Sequence, residues 1–316
     1  MPHTHLRPYV WMLCGSFSFT LMAVLATSLL RVDRAADWQT VAVFRAGLVA
    51  LFGAILTRAT GGTLVFWPWR LWVRSIAGSL SMVCTFFAFA QLPVADVVTL
   101  TNTFPIWVAV LSWPLYHHFP GGKIIAAVLV GVLGVALVEQ PHFESGNLGV
   151  PAALAAALFT AIAMLGLHSL GNLDPRAIVV HFSAVATVVC GIAFLVTART
   201  HDLARVLELK VMWKLLGMGA TALVGQVFLT MAFAAGAPAK VSVVGLTQIV
   251  FALAFDVFLF GHDVNEYTLL GTALVIAPTA WLLTRPKKAP PAAAELASEH
   301  EIGSPADSTI TPSLPR

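Results

Sequence analysis

The sequence predicts an all-α membrane protein whose ten transmembrane helices form two inverted five-helix repeats. Three observations predict it: an apolar, charge-poor composition, ten apolar runs long enough to cross a bilayer, and a motif that recurs between the two halves. Of 316 residues, 58% are apolar and 10% are charged, and the mean hydropathy is +0.85. A soluble domain is roughly 45–50% apolar and about 25% charged, so a water-facing globule of this composition lacks the ionic residues to cover itself. The same shortage excludes a nucleic-acid binder, which builds a basic face from Lys and Arg. Cys14, Cys84 and Cys190 each stand alone in an apolar run, leaving no disulfide framework and no zinc spacing. The formal charge of +3 is too small to imply a partner.

A helix needs about 20 mostly apolar residues to cross about 30 Å of hydrocarbon. Ten stretches meet that length: 9–30, 38–57, 73–91, 94–113, 124–138, 150–169, 177–196, 215–234, 241–260 and 269–284. None alternates with a period of two, so they read as helices and not as strands of a barrel. The first run lacks a small-residue cleavage site and reads as an anchor. The expected organisation is an N-terminal segment (1–8), a first repeat (9–138), a connector (139–149), a second repeat (150–284) and a tail (285–316). The tail is polar and proline-rich, too poor in apolar surface to fold, and is expected to be disordered.

The connectors are short, and two stand apart. Between the second and third spans, Trp67, Trp69 and Trp72 cluster around Arg70, the composition of a membrane-interface belt. The segment from Arg199 to Lys214 is rich in cations and runs against the overall charge bias. Lys and Arg are otherwise more numerous on the side of the N-terminus, which favours an inner-membrane protein with both termini in the cytoplasm.

The halves repeat. Ala88-Phe89-Ala90, followed by Pro93 and Ala95, reappears as Ala232-Phe233-Ala234, followed by Pro238 and Ala239. Leu100-Thr101-Asn102 has a counterpart in Leu246-Thr247-Gln248, and a glycine-containing helix with Gly131 and Gly134 is echoed by one with Gly271. Spans three to five therefore match spans eight to ten. Five is odd, so the second copy starts from the opposite side of the membrane. Inverted repeats are the architecture of carriers that bind near the midplane and alternate their access.

The chain resembles the drug/metabolite transporter superfamily, in its ten-helix EamA-type branch, over residues 9–284. The resemblance rests on Phe44-Arg45 in the second span, on the stretch from Phe86 to Ala95 with its Phe-x-Ala-x-x-x-x-Pro spacing, and on Pro105 within the fourth span before a glycine-rich fifth. It implies a cavity built by spans one to four and six to nine, with five and ten at the periphery. It also implies transport of a small polar or amphipathic metabolite: an amino acid, an S-adenosylmethionine-like compound or an organic anion. Two departures stand out. Where the family often has Gly-Glu, this sequence reads Tyr116-His117-His118 and Gly261-His262-Asp263, and Gln248 occupies the place that would match Pro105. Span nine is therefore expected to be straighter than in relatives.

Candidate site residues follow from the cost of polarity in lipid. A cation at the bilayer centre costs about 2.5–3.5 kcal/mol on insertion scales, so one that persists faces the bundle interior. Arg45 lies about 4 Å from the middle of span two, either holding an anionic substrate group through paired hydrogen bonds or tied to helix carbonyls or a structural acid. Asp256 is the candidate acid, as a gate partner of Arg45, a coupling site for protons, or a group at the headgroup layer. Asn102, Gln226 and Gln248 carry amides that one helix cannot satisfy alone, which points to a wet cavity. Thr20 belongs with them as a mid-depth hydroxyl, and Trp107 is either an aromatic wall for a ligand or a packing residue. Pro105 is expected to kink span four beside Asn102.

The reading is a secondary transporter working by alternating access. No phosphate-binding Gly-x-x-x-x-Gly-Lys loop occurs, so ATP is not expected to drive it. The alternative is an integral-membrane enzyme such as a lipid-linked transferase, whose acidic and histidine groups would have to meet at one membrane face. No cofactor or metal is expected. The expected partners are a small-molecule substrate and the lipid bilayer, with no nucleic acid; a homodimer is left open.

Overall fold

The computed structural model describes residues 6–29, 37–92, 94–116, 120–141, 148–197, 208–260 and 264–284, and only the backbone of Phe89, Ala90, Val94, Ala95, Thr197, Asp256, Leu259 and Phe260. All regular structure among these residues is helical: α1 (Arg7–Thr27), α2 (Trp38–Ala59), α3 (Trp69–Gln91), α4 (Val94–Thr101), α5 (Phe104–Tyr116), α6 (Gly122–Glu139), α7 (Gly149–His168), α8 (Pro175–Thr197), α9 (Leu209–Ala235), α10 (Pro238–Gly245), α11 (Thr247–Phe260) and α12 (Glu266–Thr284). These make ten membrane spans, with α4 and α5 sharing the fourth and α10 and α11 sharing the ninth. The proline-rich tail, His117-His118 and Gly261–Asp263 lie outside the described residues.

The repeats interlock. The most extensive packing runs between halves: α1 along α9, α3 along α7, and α2 along α8. Exchanging the repeats turns the first pair into the second and maps the third onto itself. With five spans in each repeat, the relating axis lies in the membrane plane, and the two copies are inverted.

Between helices in lipid there is no hydrophobic drive to associate, so van der Waals packing of small residues brings backbones together. At the α1–α9 crossing, a methyl on Gly15 would lie 3.3 Å from the Gly225 carbonyl oxygen. At the α6–α12 crossing, a Cβ on Gly134 would lie 2.7 Å from the Gly271 carbonyl oxygen, and one on Gly271 would lie 2.5 Å from that of Gly134. Alanine does the same work on α7, where Ala153, Ala156, Ala157, Ala161 and Ala163 are all buried.

Spans four and nine are both broken, within a few residues of equivalent positions in the two repeats. In span four the break falls at Asn102 and Thr103. Pro105 is the second residue of α5. It therefore does not kink a continuous helix but starts a new one, in the first turn, where a missing N–H costs little. The side chains at the break bond the carbonyls of the preceding turn: Asn102 Nδ2 donates to Val98 O (2.8 Å) and Thr103 Oγ1 to Leu100 O (2.6 Å).

Span nine is interrupted at Leu246 without any proline. Gly245 supplies a weak point, and it packs so tightly that an added Cβ would lie 2.7 Å from the Met12 methyl. Two hydroxyls of α1 bond carbonyls on either side of the break: Ser16 Oγ to Gly245 O (3.4 Å) and Thr20 Oγ1 to Gln248 O (3.3 Å). Gly131 of α6 leaves room for the buried Leu246 side chain, whose Cδ1 lies 2.7 Å from where a Cβ would stand.

Replacing Gly134 by Leu is expected to destabilise the purified protein by about 1–3 kcal/mol through overpacking at the α6–α12 crossing. Gly191, in α8, has nothing within 4 Å of its missing Cβ, and Gly191→Leu is expected to leave thermal unfolding in detergent near that of the parent. Equal melting temperatures for the two variants would show that the crossing is not tightly packed.

Candidate functional site

Arg45 projects from α2 into the interior of the bundle, where it meets residues of α1, α3, α8 and α9. It lines a small cavity, with room for about one water, together with Ala46, Val49, Met82, Phe182, Ser183, Ala186 and Gln226. Its contacts are soft: Nε donates to Met22 Sδ (3.0 Å) and Nη1 approaches Met82 Sδ (3.8 Å). The Cys190 thiol also donates to Met82 Sδ, at 3.5 Å. A thioether is a weak acceptor, while a guanidinium has five N–H donors in a fork that fits a carboxylate. Among the described residues the ion pair is Arg176–Asp174, at 2.8 Å, and none involves Arg45.

Gln226 faces the same cavity. It is 9% exposed, and its Oε1 has no hydrogen-bond partner. A buried amide oxygen left unpaired costs about 1–3 kcal/mol, so the cavity holds both a donor-rich cation and an acceptor, each without a strong protein partner.

The other sequence candidates lie apart from this cavity wall. Thr20 is buried and bonds the carbonyls of Ser16 (3.0 Å) and Gln248 (3.3 Å), which ties α1 to the break in span nine. Met22, the contact of Arg45, is two residues further along α1, a rise of about 3 Å. The break in span nine and the guanidinium therefore sit at neighbouring depths. Gln248 is partly buried in the first turn of α11. Asn102 sits in the break of span four with one amide donor bonded to its own helix. Trp107 packs on a core cluster with Met12, Leu71 and Val108, as a wall of the helix packing. The side chain of Asp256 lies outside the described residues, so a pairing with Arg45 is not described.

Sequence reasoning missed four participants: Met22, Met82, Phe182 and Ser183. Each is an ordinary apolar or small residue within an apolar run, and only the crossing of α1, α3 and α8 over α2 gives them a common target. It also missed Arg74, which follows the tryptophan belt closely in sequence. Arg74 lies inside α3 and is 1% exposed.

A second, open cleft lies at one end of the bundle, about 930 Å³ including its mouth, lined by Trp11, Leu173, Asp174, Arg176, Val227 and Met231 among others. Here Arg176 chelates Asp174 (Nη2–Oδ2 2.8 Å, Nε–Oδ1 3.0 Å) and reaches across to Thr60 Oγ1 of the first repeat (2.5 Å). Hydrogen bonds from Arg176 hold the Asp174 carboxyl below its ordinary range, so this strap between the repeats is charged at neutral pH. Among the described residues there is no group of three or more His, Cys, Asp or Glu side chains that could hold a metal ion.

Known proteins fit this architecture. The sequence matches the EamA-like transporter family twice, over residues 6–139 and 147–284. The chain belongs to that family. It is similar to the pseudopaline exporter CntI of Pseudomonas aeruginosa, at 30% identity over 87% of this chain and 94% of the relative. The riboflavin transporter of Rhizobium johnstonii is 23% identical over 87% of this chain and 90% of its own length. Solute carrier family 35 member G1 of Homo sapiens is 23% identical over 65% of this chain and 59% of its own. One solved crystal structure shares the fold, with a TM-score of 0.71 at 14% identity over 86% of this chain and 96% of that one. The EamA-type chain is thus a multi-pass membrane transporter and not an enzyme.

Gln226→Met keeps the side-chain length and removes the unpaired oxygen. It is expected to raise thermal stability by about 1 kcal/mol while lowering transport. A melting temperature below that of the parent would mean that Gln226 has a structural partner.

Proposed function

We propose that this protein carries a small organic anion, a metabolite bearing at least one carboxylate, across the cytoplasmic membrane by alternating access. The observation that supports the reading is Arg45: a guanidinium in the bundle interior, facing a cavity, with thioether sulfurs in place of a carboxylate. A substrate carboxylate would accept two parallel N–H bonds from Arg45, the strong geometry for this pair. Ser183 and Gln226 line the same cavity and would orient the rest of the solute.

The movement rests on the inverted repeats. Because α1 packs on α9, α2 on α8 and α3 on α7, rocking one repeat against the other opens one end as it closes the other. The strap from Arg176 to Thr60 and the cleft beside it lie at one end of that movement, and the paired breaks of spans four and nine are the natural places to bend. The relatives include an exporter and a riboflavin transporter, which supports solute movement without fixing its direction here. The Lys and Arg bias supports a cytoplasmic location for both termini and for the strap.

Reconstituted vesicles test the reading. With labelled amino acids and organic acids as a panel, at least one carboxylate solute should move faster than through empty vesicles. Arg45→Gln should reduce its transport about tenfold or more, the scale of a lost charge-assisted hydrogen bond. Arg45→Lys should retain part of it. Equal rates in Arg45→Gln and the parent would refute the assignment.

A further inference from the structure

A second guanidinium lies buried in the bundle, on α3. Arg74 of α3 is 1% exposed, and its Nε and Nη1 have no hydrogen-bond partner. Its guanidinium carbon stands 3.8 Å from the centre of the Phe182 ring, and no ion pair involves it among the described residues. Glycine permits this position: a Cβ on Gly78 would lie 3.0 Å from Arg74 Nη1, and one on Gly166 of α7 would lie 3.0 Å from Arg74 Cβ. Beside it, Ser75 Oγ bonds His181 Nδ1 at 2.8 Å, while His181 Nε2, on a residue 5% exposed, has no partner. Cation–π contact compensates only part of the hydration a guanidinium loses. Two unpaired donors and an unpaired ring nitrogen thus sit together in the bundle, outside the Arg45 cavity.

Phe182 separates the two arginines. One side of its surroundings is the Arg74 guanidinium, and the other is the cavity it lines with Arg45. Arg74 reaches the level of Gly78 and Arg45 that of Met82, four residues apart on α3, or about 6 Å along its axis.

Resting on the reading that Arg45 binds a carboxylate, we infer that Arg74 and His181 form a second acid-binding station behind Phe182, so that the substrate class is a dicarboxylate with a short spacer. One carboxylate meets Arg45 in the cavity; the other displaces the Phe182 ring and takes the open donors of Arg74. An unpaired buried cation is kept because its partner arrives with the ligand.

The test measures dissociation constants of glutarate and butyrate for the full chain in detergent, by ligand-dependent thermal shift. Glutarate should bind the parent about tenfold tighter than butyrate. Arg74→Gln should bind both with one affinity, that of butyrate for the parent, and Arg74→Lys should keep part of the preference. Arg45→Gln should lose butyrate altogether. Butyrate binding that depends on Arg45, with no preference for glutarate in the parent, would overturn the second station and leave the first intact. So would a full preference surviving in Arg74→Gln. Absence of binding by either acid to the parent would overturn both. The comparison within the parent stands even where Arg74→Gln does not accumulate as folded protein.

Discussion

The structure depends on how a membrane bundle keeps a guanidinium inside it against thioether sulfurs, with no described carboxylate beside it. Among the described residues no carboxylate pairs with Arg45, which rests against Met22 and Met82. Sulfur is polarizable and adaptable, which lets it neighbour a cation without fixing it. A carboxylate from the protein would bind more tightly and would also compete with any anionic solute. The soft contacts leave the donor fork open, with residues of α1, α3, α8 and α9 around it.

That arrangement comes from small residues and interlocked repeats. Gly15, Gly134, Gly225 and Gly271 set crossings at which each half packs on the other, and helices α2, α3, α8 and α9 then enclose the cavity. The same economy shapes the breaks in spans four and nine. Each interruption frees carbonyls at membrane depth, and nearby Asn, Ser or Thr side chains satisfy some of them. Irregular backbone survives in lipid only under such conditions. The breaks interrupt one span in each repeat, the fourth and the ninth.

The fold was legible because bilayer thickness imposes a length on every apolar run, and the Ala-Phe-Ala motif marks equivalent places in two halves. Arg45 was legible for the same reason: its charge is conspicuous in an apolar helix. The break in span nine was not, because it depends on Gly245 packing under Met12 and on hydroxyls of α1 more than 220 residues away in sequence. Arg74 was hidden by its neighbours. Next to Trp67, Trp69 and Trp72 it reads as an interface cation, and only the packing of α7 and α8 around it shows that it is buried. Amides misled in part: Gln226 faces the cavity, whereas Asn102 turns back onto its own helix.

The most direct measurement is the melting temperature of the ligand-free protein with Arg45 replaced by Met, which keeps an unbranched side chain and removes the charge. A guanidinium held without a strong partner predicts a melting temperature above that of the parent, together with loss of transport. A fall of several degrees would contradict it, since Arg45 would then be an anchor of the fold and not a waiting ligand site.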